Sequence, residues 1–178
     1  MRNRERVIRF LLRGPAALRS PLARWTVLLL SAGGAGLLVW SAVIHLQLWG
    51  DGYRDISVIG PLFLVQGIAS IILAVAIVAL RRLALLAAGA VAGAATAVGL
   101  LLTVHPGLFG FTESLAVPYA VLSLVIEFGA AFVLLLGTAL LALAPGRGAA
   151  VAAPVPPGAA AGRRPGLTDE AAAGKRRD

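Results

Sequence analysis

Four long apolar runs, at residues 25–47, 58–80, 83–105 and 118–144, constrain this chain more than any other feature. Each exceeds the ~20 residues that a helix needs to cross ~30 Å of hydrocarbon. The charges then set a direction. Arg2, Arg4, Arg6, Arg9, Arg13, Arg19 and Arg24 precede the first run. Arg81 and Arg82 separate the second from the third, and Arg147, Arg163, Arg164, Lys175, Arg176 and Arg177 follow the fourth. If all four runs cross, fifteen of the sixteen Lys and Arg residues fall on one side, with Arg54 alone opposite. The positive-inside bias puts that side in the cytoplasm. The expected fold is therefore an all-α polytopic membrane protein. It is an up-down-up-down four-helix transmembrane bundle of the cytoplasmic (inner) membrane with both termini cytoplasmic.

Composition supports this class and removes others. The chain is 59% hydrophobic and only 13% charged, whereas soluble domains are nearer half apolar and about a quarter charged. A net charge of +8 would suggest nucleic acid in a soluble protein, but no folded basic module remains once the spans are set aside. Nucleic acid is not an expected partner; the bilayer and anionic inner-leaflet lipid are. The chain has no Cys, which excludes disulfides, thiolate metal sites and cysteine nucleophiles. The first run is too long for a signal-peptide core and no A-x-A-like site follows it, so it is expected to stay in place as a span.

Three regions follow. Residues 1–24 form a basic cytoplasmic lead. Arg2, Arg6, Arg9 and Arg13 recur at helical spacing, with Val7, Ile8, Phe10, Leu11 and Leu12 pointing elsewhere. That pattern suits a short helix lying on the inner leaflet; the alternative is a basic arm that only sets topology. Pro15 and Pro21 would end such a helix. Residues 25–144 form the membrane domain. Its third span contains Gly89-x-x-x-Gly93, where small residues permit close helix approach, within the bundle more readily than between copies. Residues 145–178, rich in Ala, Gly, Pro and Arg, are expected to be a disordered cytoplasmic tail.

Few polar residues fall inside the spans. Glu127 lies about nine residues into the fourth, roughly 13 Å below its outer end at 1.5 Å per residue, with Ser123 at i−4. A carboxylate at that depth costs several kcal/mol unless paired, hydrated or protonated. By topology His45, Gln66 and His105 share its layer in the outer half of the bilayer, one from each other span. The four are expected to converge into an intramembrane polar cluster, with Tyr53, Arg54 and Glu113 of the outer loops as possible contributors above it. One reading makes Glu127 structural glue, hydrogen-bonded to Gln66 or a His. Another makes the cluster a site for a proton, a metal ion or a lipid headgroup. Haem ligation by His45 and His105 would rest on a single pair near the surface, and zinc or copper held by them with Glu127 or Glu113 lacks supporting H-x-x-H or H-x-x-x-H spacing. No cofactor is expected, and the metal question stays open. No G-x-S-x-G turn, P-loop or dinucleotide fingerprint occurs.

The stretch His45-Leu46-Gln47-Leu48-Trp49, Gly52-Tyr53-Arg54-Asp55-Ile56 and Ile59-Gly60-Pro61-Leu62-Phe63-Leu64-Val65-Gln66 resembles uncharacterised small four-helix integral membrane proteins of actinobacteria. Those pair a His-Leu-x-Leu first-span end with a Gly-Tyr-Arg loop and an Ile-Gly-x-Leu-Phe second-span start. The resemblance implies an inner-membrane address and no particular activity. The functional expectation is a non-enzymatic accessory or binding protein whose helix faces pack on a second copy or on partner membrane proteins. The alternative is a small transporter or proton- or ion-conducting oligomer using the intramembrane Glu.

Overall fold

A computed structural model describes residues 2–143; the tail expected from residue 145 lies outside the described residues. The described chain is helical: α1 (Arg2–Leu11), α2 (Pro21–Gly50), α3 (Ile59–Leu80), α4 (Leu83–Val104) and α5 (Ala120–Leu143). The last four are each long and apolar enough to cross a membrane.

Local chemistry explains the boundaries. Ser20 caps α2, its hydroxyl accepting from the Ala23 amide at 3.4 Å. Pro21 takes the first helical position, where its missing N–H costs nothing. The first span thus begins four residues earlier than the apolar run and ends three later, at Gly50. Arg81 adopts the left-handed conformation that ends α3, its amide returning to the Ile77 carbonyl, and α4 begins two residues on.

Large apolar side chains stand outward on every long helix: Leu29 is 71% exposed, Val91 68% and Phe132 67%. A water-soluble bundle would place polar residues there, so the pattern supports a membrane protein. Inward, small and polar side chains recur at alternating steps of three and four. On α5 the buried series includes Ala120, Ser123, Glu127, Ala130, Leu134, Gly137 and Leu141. On α2 it includes Val27, Ser31, Gly34, Leu38 and Ser41. This 3–4 spacing draws one straight seam down a helix, and small residues let the seams close. A Cβ on Gly93 would sit 2.8 Å from the Glu127 carbonyl oxygen and 3.0 Å from the Ala131 amide. The Gly89/Gly93 pair therefore packs within the chain, and Gly93 brings the α4 backbone against α5 at Glu127.

One end of the bundle is strapped shut by the lead. Leu18 is fully buried and joins Val27, Leu83, Leu86 and Leu141 in the core. Helix ends leave unpaired amides and carbonyls, and the lead supplies partners for them. The Arg13 carbonyl accepts from the Leu83 amide at 2.8 Å. The Arg13 guanidinium donates to the Ala142 carbonyl at 3.2 Å, and Arg82 donates to the Leu12 carbonyl at 2.8 Å. At the other end, here termed the loop end, the turn Tyr53–Asp55 meets the segment after α4. A Cβ on Gly60 would lie 2.5 Å from the Arg54 carbonyl oxygen, so glycine there lets this turn rest directly on α3.

Candidate functional site

The seams decide which polar side chains meet. Ser41 and His45, one turn apart on α2, face Glu127 on α5. The Ser41 hydroxyl donates to Glu127 Oε1 at 3.4 Å, and His45 Nε2 lies 3.7 Å from the same oxygen. His45 Nδ1 is 2.8 Å from the Ser41 carbonyl. A carbonyl only accepts, so Nδ1 carries the proton, and in the neutral ring Nε2 presents its lone pair to Glu127. One proton between Nε2 and Oε1 would convert this into an imidazolium–carboxylate pair. The carboxylate is 1% exposed, and its second oxygen, Oε2, is buried with no hydrogen-bond partner among the described residues. Nearly all buried polar groups in folded proteins have a partner, so this oxygen marks the site.

Glu127 borders a cavity of about 300 Å³ at the loop end. α2 contributes His45 and Leu48; α3 contributes Leu62, Phe63 and Gln66; α4 contributes Thr96, Gly99, Leu100 and Thr103; Ser123 stands beside Glu127 on α5. α3 and α4, joined by the tight Arg81–Arg82 turn, touch each other much less than α4 touches α5. Their separation toward the loop end makes the room. The walls are mostly apolar, as in small-molecule pockets generally.

Tyr53 and Glu113 cross the loop side of the cavity. The Tyr53 hydroxyl donates to Glu113 Oε2 at 2.6 Å, while Glu113 Oε1 accepts from the Ser114 amide. The Tyr53 ring stacks on Phe63 with centroids 5.1 Å apart and meets Phe111 edge-on at 6.0 Å. Burial pushes the Tyr53 phenol up to about 12, and the bond to Glu113 adds to this. Proximity to a carboxylate opposes a second negative charge.

The sequence-derived set thus divides. His45 and Glu127 meet, and Gln66 lines the same cavity while its amide donates to Ser70 Oγ at 3.0 Å. Gln66 does not bond Glu127. His105 caps α4, is exposed and stays out of the cavity lining; α4 ends at Val104, and the chain turns away at Pro106. Arg54 is exposed and pairs with Asp55 at 3.8 Å, a surface contact worth little. Tyr53 reaches Glu113. Sequence reasoning missed Ser41 as the hydroxyl bonded to Glu127, and Thr96 in the cavity wall. The Thr96 hydroxyl donates to the Ala92 and Gly93 carbonyls of its own helix. Among the described residues no group of three or more His, Asp or Glu is arranged to hold a metal ion.

Fold and site together define a class: a four-helix membrane protein with an apolar cavity floored by a buried carboxylate–histidine pair. No protein-family model, no curated protein and no solved structure matches this chain.

Proposed function

We propose that this is a non-enzymatic accessory or binding protein of the cytoplasmic membrane that holds a small, mostly apolar ligand over Glu127. The helices run up-down-up-down and both termini are cytoplasmic. The observation that carries the reading is the unpartnered Glu127 Oε2, 1% exposed as a side chain, beside a cavity of about 300 Å³. A carboxylate buried that way is destabilising unless something donates to it. The Arg bias supports the topology. Outside the cavity the chain meets lipid, and its Arg-rich α1, with Val7, Ile8 and Phe10 exposed, suits anionic inner-leaflet lipid. Self-association, or association with partner membrane proteins, would use the outward apolar faces.

Native mass spectrometry of the protein taken from its own membranes in mild detergent tests the binding role. A stoichiometric added mass is expected on the wild type and absent on Glu127→Gln. A bare chain, or only exchangeable phospholipid on both, would overturn the reading.

A further inference from the structure

We infer that the ligand is a cation with an apolar body, such as a protonated arylalkyl amine, its nitrogen at Glu127 and its body among the rings at the loop end. The inference rests on the binding reading above and gives it a chemical class. Three independent features lead to it.

The first is the unsatisfied oxygen. Glu127 Oε1 has Ser41 beside it, but Oε2 makes no hydrogen bond among the described residues, and the neighbouring Thr96 hydroxyl is spent on the Ala92 and Gly93 carbonyls of its own helix. What completes the ionised carboxylate donates a hydrogen bond or carries positive charge, and an ammonium does both.

The second is the sign of the walls. Two carboxylates line the cavity, Glu127 and Glu113, and no Lys or Arg does among the described residues. α3 and α4 face Glu127 with the neutral Gln66 and Thr96. His45 on α2 is the one lining group able to become cationic; its Nδ1 is held by the Ser41 carbonyl, and its Nε2 lies 3.7 Å from Glu127 Oε1, which leaves Oε2 without a partner. Arg54 turns outward onto Asp55. An anionic ligand would find carboxylates and no guanidinium or ammonium; a cation finds the reverse.

The third is the ring arrangement. Tyr53, Phe63 and Phe111 form a connected aromatic group, and the His45 ring lies 5.0 Å from Phe63. Aromatic faces attract cations within about 6 Å of the ring centroid, most strongly when water is excluded. They also pack an aryl group well. The cavity, about 300 Å³, sits at the low end of the range for ligand pockets, which suits a single ring with a short chain.

Three isosteres separate charge, hydrogen bonding and bulk: phenylbutylammonium, phenylbutanol and pentylbenzene. Each is titrated calorimetrically into the full chain in lipid nanodiscs, with empty nanodiscs subtracted. Phenylbutylammonium is expected to bind saturably, about tenfold or more tighter than the alcohol or the hydrocarbon, as a charge-assisted contact out of water implies. Glu127→Gln is expected to remove that advantage and leave pentylbenzene unchanged. Gly99→Leu, whose side chain grows from a position with nothing within 4 Å into the cavity, is expected to weaken all three. Equal affinity for the amine and the alcohol or hydrocarbon would overturn the charge assignment and leave the binding reading standing. So would an amine affinity unmoved by Glu127→Gln. Failure of all three to bind would overturn both, and amine binding that survives Gly99→Leu would place the cation elsewhere on the protein.

Discussion

The two ends of the bundle are built from similar helices and differ in how their polar groups are matched. At the Arg81–Arg82 end the connection between α3 and α4 is as short as it can be, and the lead folds over it. Leu18 fills the core, while Arg13 and Arg82 satisfy helix-end groups far away in sequence. At the loop end the connections are longer, α3 and α4 stand apart, and a carboxylate oxygen is left without a partner beside a cavity. Cores keep buried polar groups satisfied because the alternative is destabilising. An end that does not is where a bound molecule has something to complete. The contrast assigns stability to one end and recognition to the other.

The largest expected effect breaks that contrast along a single helix. Gly93 and Gly99 lie on α4. A Cβ at Gly93 meets backbone atoms of α5 at 2.8 and 3.0 Å, whereas one at Gly99 meets nothing within 4 Å. Backbone cannot swing aside as a leucine tip can. Gly93→Ala is expected to cost about 1–3 kcal/mol, the range for overpacking, despite the better helix propensity of Ala. Gly99→Ala is expected to be neutral or to stabilise by up to about 1 kcal/mol from that same propensity. Unfolding of both variants by denaturing detergent, followed by circular dichroism, checks the pair. Equal effects would mean that α4 packs no more tightly at one position than at the other.

A smaller effect of opposite sign is expected at Glu127. If its burial serves binding, the folded state is held back by it. Glu127→Leu removes the unpartnered oxygen, and the Ser41 hydroxyl can turn to its own helix, as Ser31 does with the Val27 carbonyl at 2.7 Å. Replacing buried charge with apolar bulk is often stabilising, here by about 1–2 kcal/mol. The same detergent unfolding would show the gain. A loss of similar size would make Glu127 structural glue, the other reading that its sequence position left open.

That reading stayed open for a physical reason. Run length and flanking Arg residues located four spans at 25–47, 58–80, 83–105 and 118–144, against helices at Pro21–Gly50, Ile59–Leu80, Leu83–Val104 and Ala120–Leu143. Hydropathy is a local property, so the chain displays it directly. Depth along a span put His45, Gln66, His105 and Glu127 at one level, and His45, Gln66 and Glu127 line one cavity. The level was wrong for His105, which lies beyond the end of α4 and twelve residues past the Gly93 that meets Glu127, and depth says nothing about facing. Facing was nonetheless encoded: Ser31, Gly34, Leu38, Ser41 and His45 on α2 follow the same 3–4 steps as Ser123, Glu127, Ala130, Leu134 and Gly137 on α5. Small and polar residues mark the inward seam in a membrane bundle because outward positions need only be apolar. The role of the lead was not legible. Nothing near Arg13 or Leu18 in sequence announces a partner at Ala142 or a place in the core, because both depend on the assembled bundle.

The smallest expected effect concerns the Tyr53–Glu113 bridge, which sharpens the loop end. Tyr53→Phe removes one hydrogen bond of 2.6 Å at a partly exposed place, worth about 1 kcal/mol. Because that bond joins the two loops, its loss is expected to speed amide hydrogen exchange at Glu113 and Ser114 while leaving Leu83, whose amide is held by Arg13, unchanged. The pH dependence has a definite sign. The phenol sits at about 12 in the folded chain against 10.0 for a free tyrosine. Below pH 10 it is neutral folded or unfolded, and the bridge contributes in full. Between about 10 and 12 the unfolded chain loses this proton while the folded one keeps it, so stability falls as pH rises through that window. A tyrosinate absorbance titration is expected to show a late step for Tyr53. Glu113→Gln should move that step down only in part, because burial, the larger cause, remains. A full return to 10 would mean that Glu113 alone shifts the phenol and that the ring lies open to solvent, with the loop side of the cavity uncovered.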